Sequence, residues 1–179
     1  MKGFADYRPD ESRRPADTAI SIRGALSDDL EACARLIVTR TGGSVSDRRE
    51  RLLSDLENPD RYVAVACAGE EVIGYGGVVR HQLVPGMPAD TAPSGYYLIG
   101  LIVAPAWRRH GIGELLTADR LRWTAERADE VYTFVNLGNA AILDLHQRFR
   151  FEEVTRDFSF PNAPLEPGTC ALLRARLNG

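Results

Sequence analysis

Between Arg108 and Gly113 the sequence reads RRHGIG, a grouping of residue types suited to holding a phosphate. Glycine lets the backbone turn tightly and approach a ligand closely, and arginine adds positive charge at the rim. If a helix starts directly after the glycines, its first N–H groups and the positive end of its dipole point at the same spot. An ordinary strand-to-helix turn with a solvated basic cluster is the alternative, and two glycines alone do not decide between them.

The flanking elements supply the missing context. Residues 96–103, YYLIGLIV, are an apolar run of strand length that follows Pro93-Ser94-Gly95 and stops at Pro105. After the loop, Ile112, Leu115, Ala118, Leu121, Ala125 and Ala128 recur at steps of three and four, with Glu114, Asp119, Arg122 and Glu126 between them. That spacing predicts an amphipathic helix burying the first set. Other phosphate loops fit poorly, because the P-loop's Lys-Ser/Thr pair is missing and a dinucleotide fingerprint would need its third glycine at Leu116.

From Val103 to Gly113 the chain matches V-x-P-x-x-R-x-x-G-x-G at every fixed position. In this it resembles the acetyl-CoA motif of the GNAT superfamily of N-acetyltransferases. The resemblance implies that Arg108, Arg109, His110, Gly111, Ile112 and Gly113 hold the diphosphate of acetyl-CoA (coenzyme A). It also implies that backbone amides near Leu101, Ile102 and Val103 pair with the pantetheine arm, one of them stabilising the oxyanion.

Composition narrows the alternatives. A chain of 179 residues, 44% hydrophobic and 26% charged, is long enough for one good core and short for two. The expectation is a flexible extension over residues 1–17 and a single domain over 18–179. A net charge of -3 and a pI near 5.7 argue against nucleic acid or an anionic membrane as partner and suit small molecules or cationic amines. The three cysteines, Cys33, Cys67 and Cys170, form no disulfide framework, and no metal-ligand pattern appears. With no signal-peptide core and no run approaching ~20 apolar residues, a cytoplasmic location is expected.

In chain order, residues 18–23 read as a strand, and Ser27 is expected to cap a helix with Leu30, Cys33, Leu36 and Ile37 inward. Gly42-Gly43 ends it, and a second helix starts near Ser46 or Asp47, with Leu52, Leu53 and Leu56 inward until Asn58-Pro59. Residues 62–67 and 72–79 form a hairpin, and a long proline-bearing loop over 80–94 leads to the central strand. Residues 131–135 are another buried strand, and Asn139 opens a helix with Ile142, Leu143, Leu145 and Phe149 apolar. Strands at 151–158 and 169–177 flank a loop containing Pro161, Pro164 and Pro167. The order β-α-α-β-β-β-α-β-α-β-β demands a mixed, mostly antiparallel sheet of about seven strands flanked by helices, which is also the GNAT order.

The family resemblance extends to residues 139–151, NAAILDLHQRFRF, with three departures. Ile142 and Leu143 sit around a small-residue position, His146 takes the usual tyrosine position, and Arg150 replaces the glycine that ends the helix. Asn139 is a cofactor contact or an N-cap. His146, by alignment with the tyrosine, is assigned the proton donor to the leaving thiolate, with a packed residue as the alternative. A glutamate that some relatives carry as base falls at Phe134 here, so the base is unassigned among Tyr96, Tyr97, His81 and a water chain. In a GNAT-like fold the acceptor would lie near the 80–94 loop, the 161–167 loop and the first two helices.

The function expected is acetyl transfer from acetyl-CoA to a primary amine of a small molecule or peptide, by direct attack in a ternary complex. A homodimer is compatible with it. The competing class is a non-catalytic acyl-CoA-binding regulatory domain, motivated by the missing base and the substituted tyrosine. A peptide-binding module without coenzyme A would make the intact motif a coincidence.

Overall fold

Apolar alternation along β2 (Arg61–Ala68) sends Val63, Val65 and Cys67 to one face and Ala64 and Ala66 to the other, all buried. The computed structural model describes residues 19–177, so the 1–17 extension lies outside the described residues. Seven strands form a mixed sheet in the order β1-β2-β3-β4-β5-β7-β6, where β1 is Ile20–Gly24, β3 Glu71–His81, β4 Gly95–Val103, β5 Glu130–Asn136, β6 Glu152–Thr155 and β7 Cys170–Arg176. The helices are α1 (Leu30–Thr41), α2 (Val45–Glu57), α3 (Ile112–Ala125) and α4 (Ala140–Arg148). The chain divides into two compact units, one of residues 19–79 and 99–123, the other of 80–98 and 124–177.

In the first unit β1, β2 and β3 pair antiparallel, and β2 turns into β3 through Gly69-Glu70, with Gly69 at φ 60°. The Val63–Val65–Cys67 face meets Leu30, Cys33 and Ile37 of α1 and Leu52 of α2. On the other face, Ile112 and Leu116 of α3 pack on Ala64, Ala66 and Ile73. That approach is close: a Cβ on Gly74 would come within 3.1 Å of the Leu116 Cδ1.

Three expectations change here. Leu53 is 38% exposed, so α2 buries only Leu52 fully and Leu56 in part. On α3, Leu115 and Ala118 are exposed, and the buried stripe is Ile112, Leu116, Thr117, Asp119, Arg120 and Thr124. Asp119 is tolerated inside because it accepts a 2.7 Å hydrogen bond from the Tyr62 hydroxyl and pairs with Arg122. Finally, Ser27 does not cap α1. A 3₁₀ turn over Ser27–Asp29 precedes it, and Asp29 stands at the N-cap position of α1 with no side-chain hydrogen bond into the helix; its carboxylate instead accepts from the Leu26 N–H at 2.7 Å and pairs with both terminal nitrogens of Arg23.

The Arg23 guanidinium and the Leu26 amide hold the Asp29 carboxyl below its usual range. Its stabilisation is therefore complete above an ordinary aspartate pKa of roughly 4 and is lost as pH falls through the lower folded-state value. Asp29→Ala should cost about 1–3 kcal/mol at neutral pH and flatten that acid limb of the stability curve. Equal acid sensitivity in wild type and variant would contradict this.

In the second unit β4 and β5 run parallel, pairing Tyr96 with Val131 and Tyr97 with Tyr132, while β5–β7 and β6–β7 are antiparallel. The Thr133 hydroxyl donates to the Leu98 carbonyl at 3.0 Å, so this buried polar side chain is satisfied. Strand β6 stops at Thr155, short of the expected 158, and Val154 is 47% exposed. An edge strand with so little to bury has nothing to extend it.

Helix α4 starts as expected, with the Asn139 Oδ1 accepting from the Ile142 N–H at 3.3 Å. It ends in a Schellman pattern: Phe151 N–H donates to His146 O at 3.1 Å and Arg150 N–H to Gln147 O at 2.9 Å. Arg150 therefore stands in the left-handed position that favours glycine, at φ 57°. A non-glycine residue costs on the order of 1 kcal/mol there, partly offset by glycine's greater unfolded entropy. Arg150→Gly should be neutral or stabilising by up to about 1 kcal/mol, and a lower melting temperature would refute that.

Candidate functional site

The candidate phosphate loop, Arg108–Gly113, is built wholly within the first unit. Leu101 and Val103 pack toward Ile112 and Leu116, Ile102 toward α1 and α2, so alternate side chains of this strand end anchor it on both faces. The Ala104 N–H donates to Ile73 O at 2.8 Å, which fixes the point where the chain leaves β4. A 3₁₀ turn over Pro105–Trp107 follows, its fixed proline φ suited to the first position.

Beyond it Arg109 and Gly111 are both left-handed, at φ 71° and 78°. Such residues curl successive N–H groups around a concavity that binds anions. Gly111 O accepts from Glu114 and Leu115 N–H, both at 3.1 Å, so the Ile112 and Gly113 amides stand at the first positions of α3 with no helical carbonyl behind them. Arg108 is exposed at the rim, its Nε 3.5 Å from Val103 O. The His110 Nδ1–H donates to Arg108 O at 3.0 Å, and its ring lies 5.7 Å from that of Trp107. Donors without acceptors, a helix dipole and two arginines fit a diphosphate. Loss of one such contact in Arg108→Ala should weaken coenzyme A binding by about 1.5–3 kcal/mol, and calorimetry showing no change would remove Arg108 from the site.

One buried network was not legible as part of this loop. Arg120 of α3 is 1% exposed, yet donates from Nε to Leu116 O, from Nη1 to Gly77 O and Ile99 O, and from Nη2 to the Thr117 hydroxyl. Burial pulls its pKa down to about 10, which still leaves a cation at neutral pH. A usable signal was the i, i+4 series Ile112, Leu116, Arg120 opposite the strand glycines Gly74 and Gly76.

Asn139 and His146 stand on α4 in the second unit. His146 is 3% exposed, its Nδ1 donating to Ile142 O at 2.8 Å and its ring edge-on to Phe151 at 4.8 Å. In the neutral ring this leaves Nε2 as the nitrogen without a proton, so proton donation from Nε2 requires the imidazolium.

The same unit holds two long loops together. Ser159 N–H donates to Asp90 O and Ala92 N–H to Ser159 O, both at 2.9 Å, and the Ser159 hydroxyl reaches Asp90 Oδ1 at 3.2 Å. Phe160 then lies 4.9 Å from Tyr97 and Phe134 and 5.0 Å from His81, ring to ring. Tyr97 donates to Pro93 O at 2.6 Å, and burial raises its pKa, so it stays protonated and is a poor base. His81 engages Ala92 O through Nε2 at 3.1 Å. An open cleft of about 400 Å³ lined by Arg80, Gln82, Ser94, Tyr96 and Arg127 is rimmed by cations, the wrong sign for an amine acceptor.

A model of the acetyltransferase (GNAT) family matches residues 27–151, which include the phosphate loop and the helix-ending Arg150. The chain belongs to that family. Over 155 residues it is 32% identical to aminoglycoside N(6')-acetyltransferase type 1 of Stenotrophomonas maltophilia, covering 84% of this chain and 97% of the relative. In fold it is similar to ribosomal-protein-alanine N-acetyltransferase of Brucella melitensis, with a TM-score of 0.68 at 22% identity over 88% of this chain and 99% of the other. It is likewise similar to yncA of Salmonella typhimurium, solved with acetyl-CoA, with a TM-score of 0.69 at 17% identity over 89% and 95%. The protein is an acetyl-CoA-dependent N-acetyltransferase, and a purely regulatory acyl-CoA-binding role is set aside. Among the described residues no helix is long and apolar enough to cross a membrane, and no group of three or more side chains is placed to hold a metal ion.

Proposed function

We propose that this GNAT enzyme acetylates a primary amine of a small polycationic acceptor of the aminoglycoside class. The observation that carries this is the 32% identity, over 84% of this chain and 97% of the relative, with an aminoglycoside N(6')-acetyltransferase. The net charge of -3 agrees in sign with such an acceptor. The likeness to the ribosomal-protein enzyme, at 22% identity, supports fold alone and does not favour a peptide acceptor.

Acetyl-CoA supplies an acyl group already activated as a thioester. In this reading the amides of Gly111, Ile112 and Gly113, with Arg108, Arg109 and His110, bind the diphosphate, and Asn139 contributes a further contact. Amides near Leu101, Ile102 and Val103 orient the arm, and one donates to the oxygen on which negative charge develops. The acceptor amine attacks as the neutral base, so no enzyme nucleophile is needed. Cys33 suits that role poorly in any case, since burial pushes its thiol up to about 12. His146 is assigned the proton for the departing thiolate. An enzyme consuming acetyl-CoA works where that thioester is made, which favours the cytoplasm.

The test is a free-thiol assay over a panel of aminoglycosides, polyamines and peptides. At least one aminoglycoside should reach a kcat/KM on the order of 10⁴ M⁻¹s⁻¹ or more. Turnover of a peptide N-terminus with none of any aminoglycoside would overturn the assignment while leaving the family intact.

A further inference from the structure

Arg120 lies on the buried face of α3, where an apolar side chain would avoid the cost of desolvating a guanidinium. Its contacts suggest what is gained. Nη1 is 3.3 Å from both Gly77 O on β3 and Ile99 O on β4. Nη2 donates to the Thr117 hydroxyl at 3.2 Å, and that hydroxyl donates to Gly113 O at 2.8 Å. One unbroken chain of hydrogen bonds thus runs from Gly113 at the start of α3 to the Ile99–Gly100 peptide of β4. The space is reserved for it, since a Cβ on Gly76 would come within 3.0 Å of the Arg120 Nε. The chain also meets β4 where the strand is bent: Gly100, next to Ile99, has φ 52°, and a Cβ there would lie 3.1 Å from Tyr75 Cε1.

We infer that Arg120, acting through Thr117, is a positioning residue that sets the phosphate loop and the end of β4 at a fixed separation, so that a ligand spanning both is held in register. The inference rests on the reading that those two segments hold coenzyme A. A guanidinium suits the task because its planar fork addresses several acceptors at once from a rigid frame. Lysine keeps the charge without the fork.

The experiment compares two probes by calorimetry, ADP, which carries the diphosphate without the pantetheine arm, and acetyl-CoA, which spans both segments. In Arg120→Met, ADP affinity should stay within about twofold of wild type while acetyl-CoA binding weakens about tenfold and kcat per binding site falls ~10²-fold, the scale of a small misplacement. Arg120→Lys should recover part of the loss. Thr117→Val, which cuts the link at the hydroxyl and leaves Arg120 in place, should show the same split at smaller size, with ADP affinity kept, acetyl-CoA binding weakened about threefold and kcat lowered about tenfold, and it decides the matter if Arg120→Met does not fold. Equal weakening of both probes, or no change in either, overturns the inference. ADP binding that survives Gly111→Trp would instead take down the reading of the loop, and the positioning role with it.

Discussion

Gly111→Trp should remove coenzyme A binding from a protein that still folds. Gly111 is at φ 78°, the carbonyl that starts α3 is its own, and the first N–H groups of that helix follow it directly. An indole at that point cannot share the space with a diphosphate. Losing even two charge-assisted hydrogen bonds, at about 1.5–3 kcal/mol each, weakens binding on the order of 10²–10⁴-fold. Folding should survive, because Arg109 already occupies the same left-handed region at φ 71° and a non-glycine residue costs only on the order of 1 kcal/mol there. Gly111→Asn is the informative control: asparagine tolerates the conformation and adds little bulk, so it should lose much less affinity. Calorimetry that found unchanged affinity in a folded Gly111→Trp protein would remove the basis for placing the cofactor here.

That loop was legible from sequence because its signals are local and punctuated. An apolar strand bounded by Gly95 and Pro105, a proline that opens a 3₁₀ turn, and two glycines before a helix each act over a few residues. Asn139 as a cap and Arg150 in a glycine position were legible for the same reason. Helix α3 was harder. Leu115 and Ala118 offered one apolar stripe and Leu116 another, and hydrophobicity could not rank them because the stripe that is buried carries Asp119 and Arg120. Partners explain those charges, and beside the local Arg122, Leu116 and Thr117 they include residues far off in sequence: Tyr62 for Asp119, Gly77 and Ile99 for Arg120. The Asp90–Ser159 clasp joins residues 69 apart through main-chain bonds that any sequence could make, so it left no trace in composition or spacing. Ser27 failed as a cap by a different route. The 3₁₀ turn that begins at Ser27 moves the start of α1 to Leu30, and the Asp29 carboxylate, held by Arg23 and by the Leu26 N–H, fixes that turn.

His146 can be assigned by separating its two roles. Its ring meets Phe151 across the helix end, between the two positions whose side chains commonly touch in a Schellman stop, so packing accounts for its burial. The proposed chemistry asks more: with Nδ1–H committed to Ile142 O, Nε2 must carry a second proton and give it to the thiolate. A donor of that kind loses its proton as pH rises, so its own contribution makes the rate fall toward high pH, against the opposing rise from deprotonation of the acceptor amine. His146→Phe keeps an aromatic ring against Phe151 and abolishes proton transfer, whereas His146→Ala abolishes both. With coenzyme A affinity unchanged, both variants should lose ~10² to 10⁴ in kcat, the range for removal of an essential general acid. His146→Tyr should recover activity at high pH, since a phenol with an ordinary pKa near 10 keeps its proton where imidazolium does not. The packing role instead separates the two variants, with His146→Phe close to wild type and only His146→Ala impaired through lost stability. A loss below about threefold in His146→Phe, far under the general-acid range, would therefore leave the thiolate to depart without help from this residue.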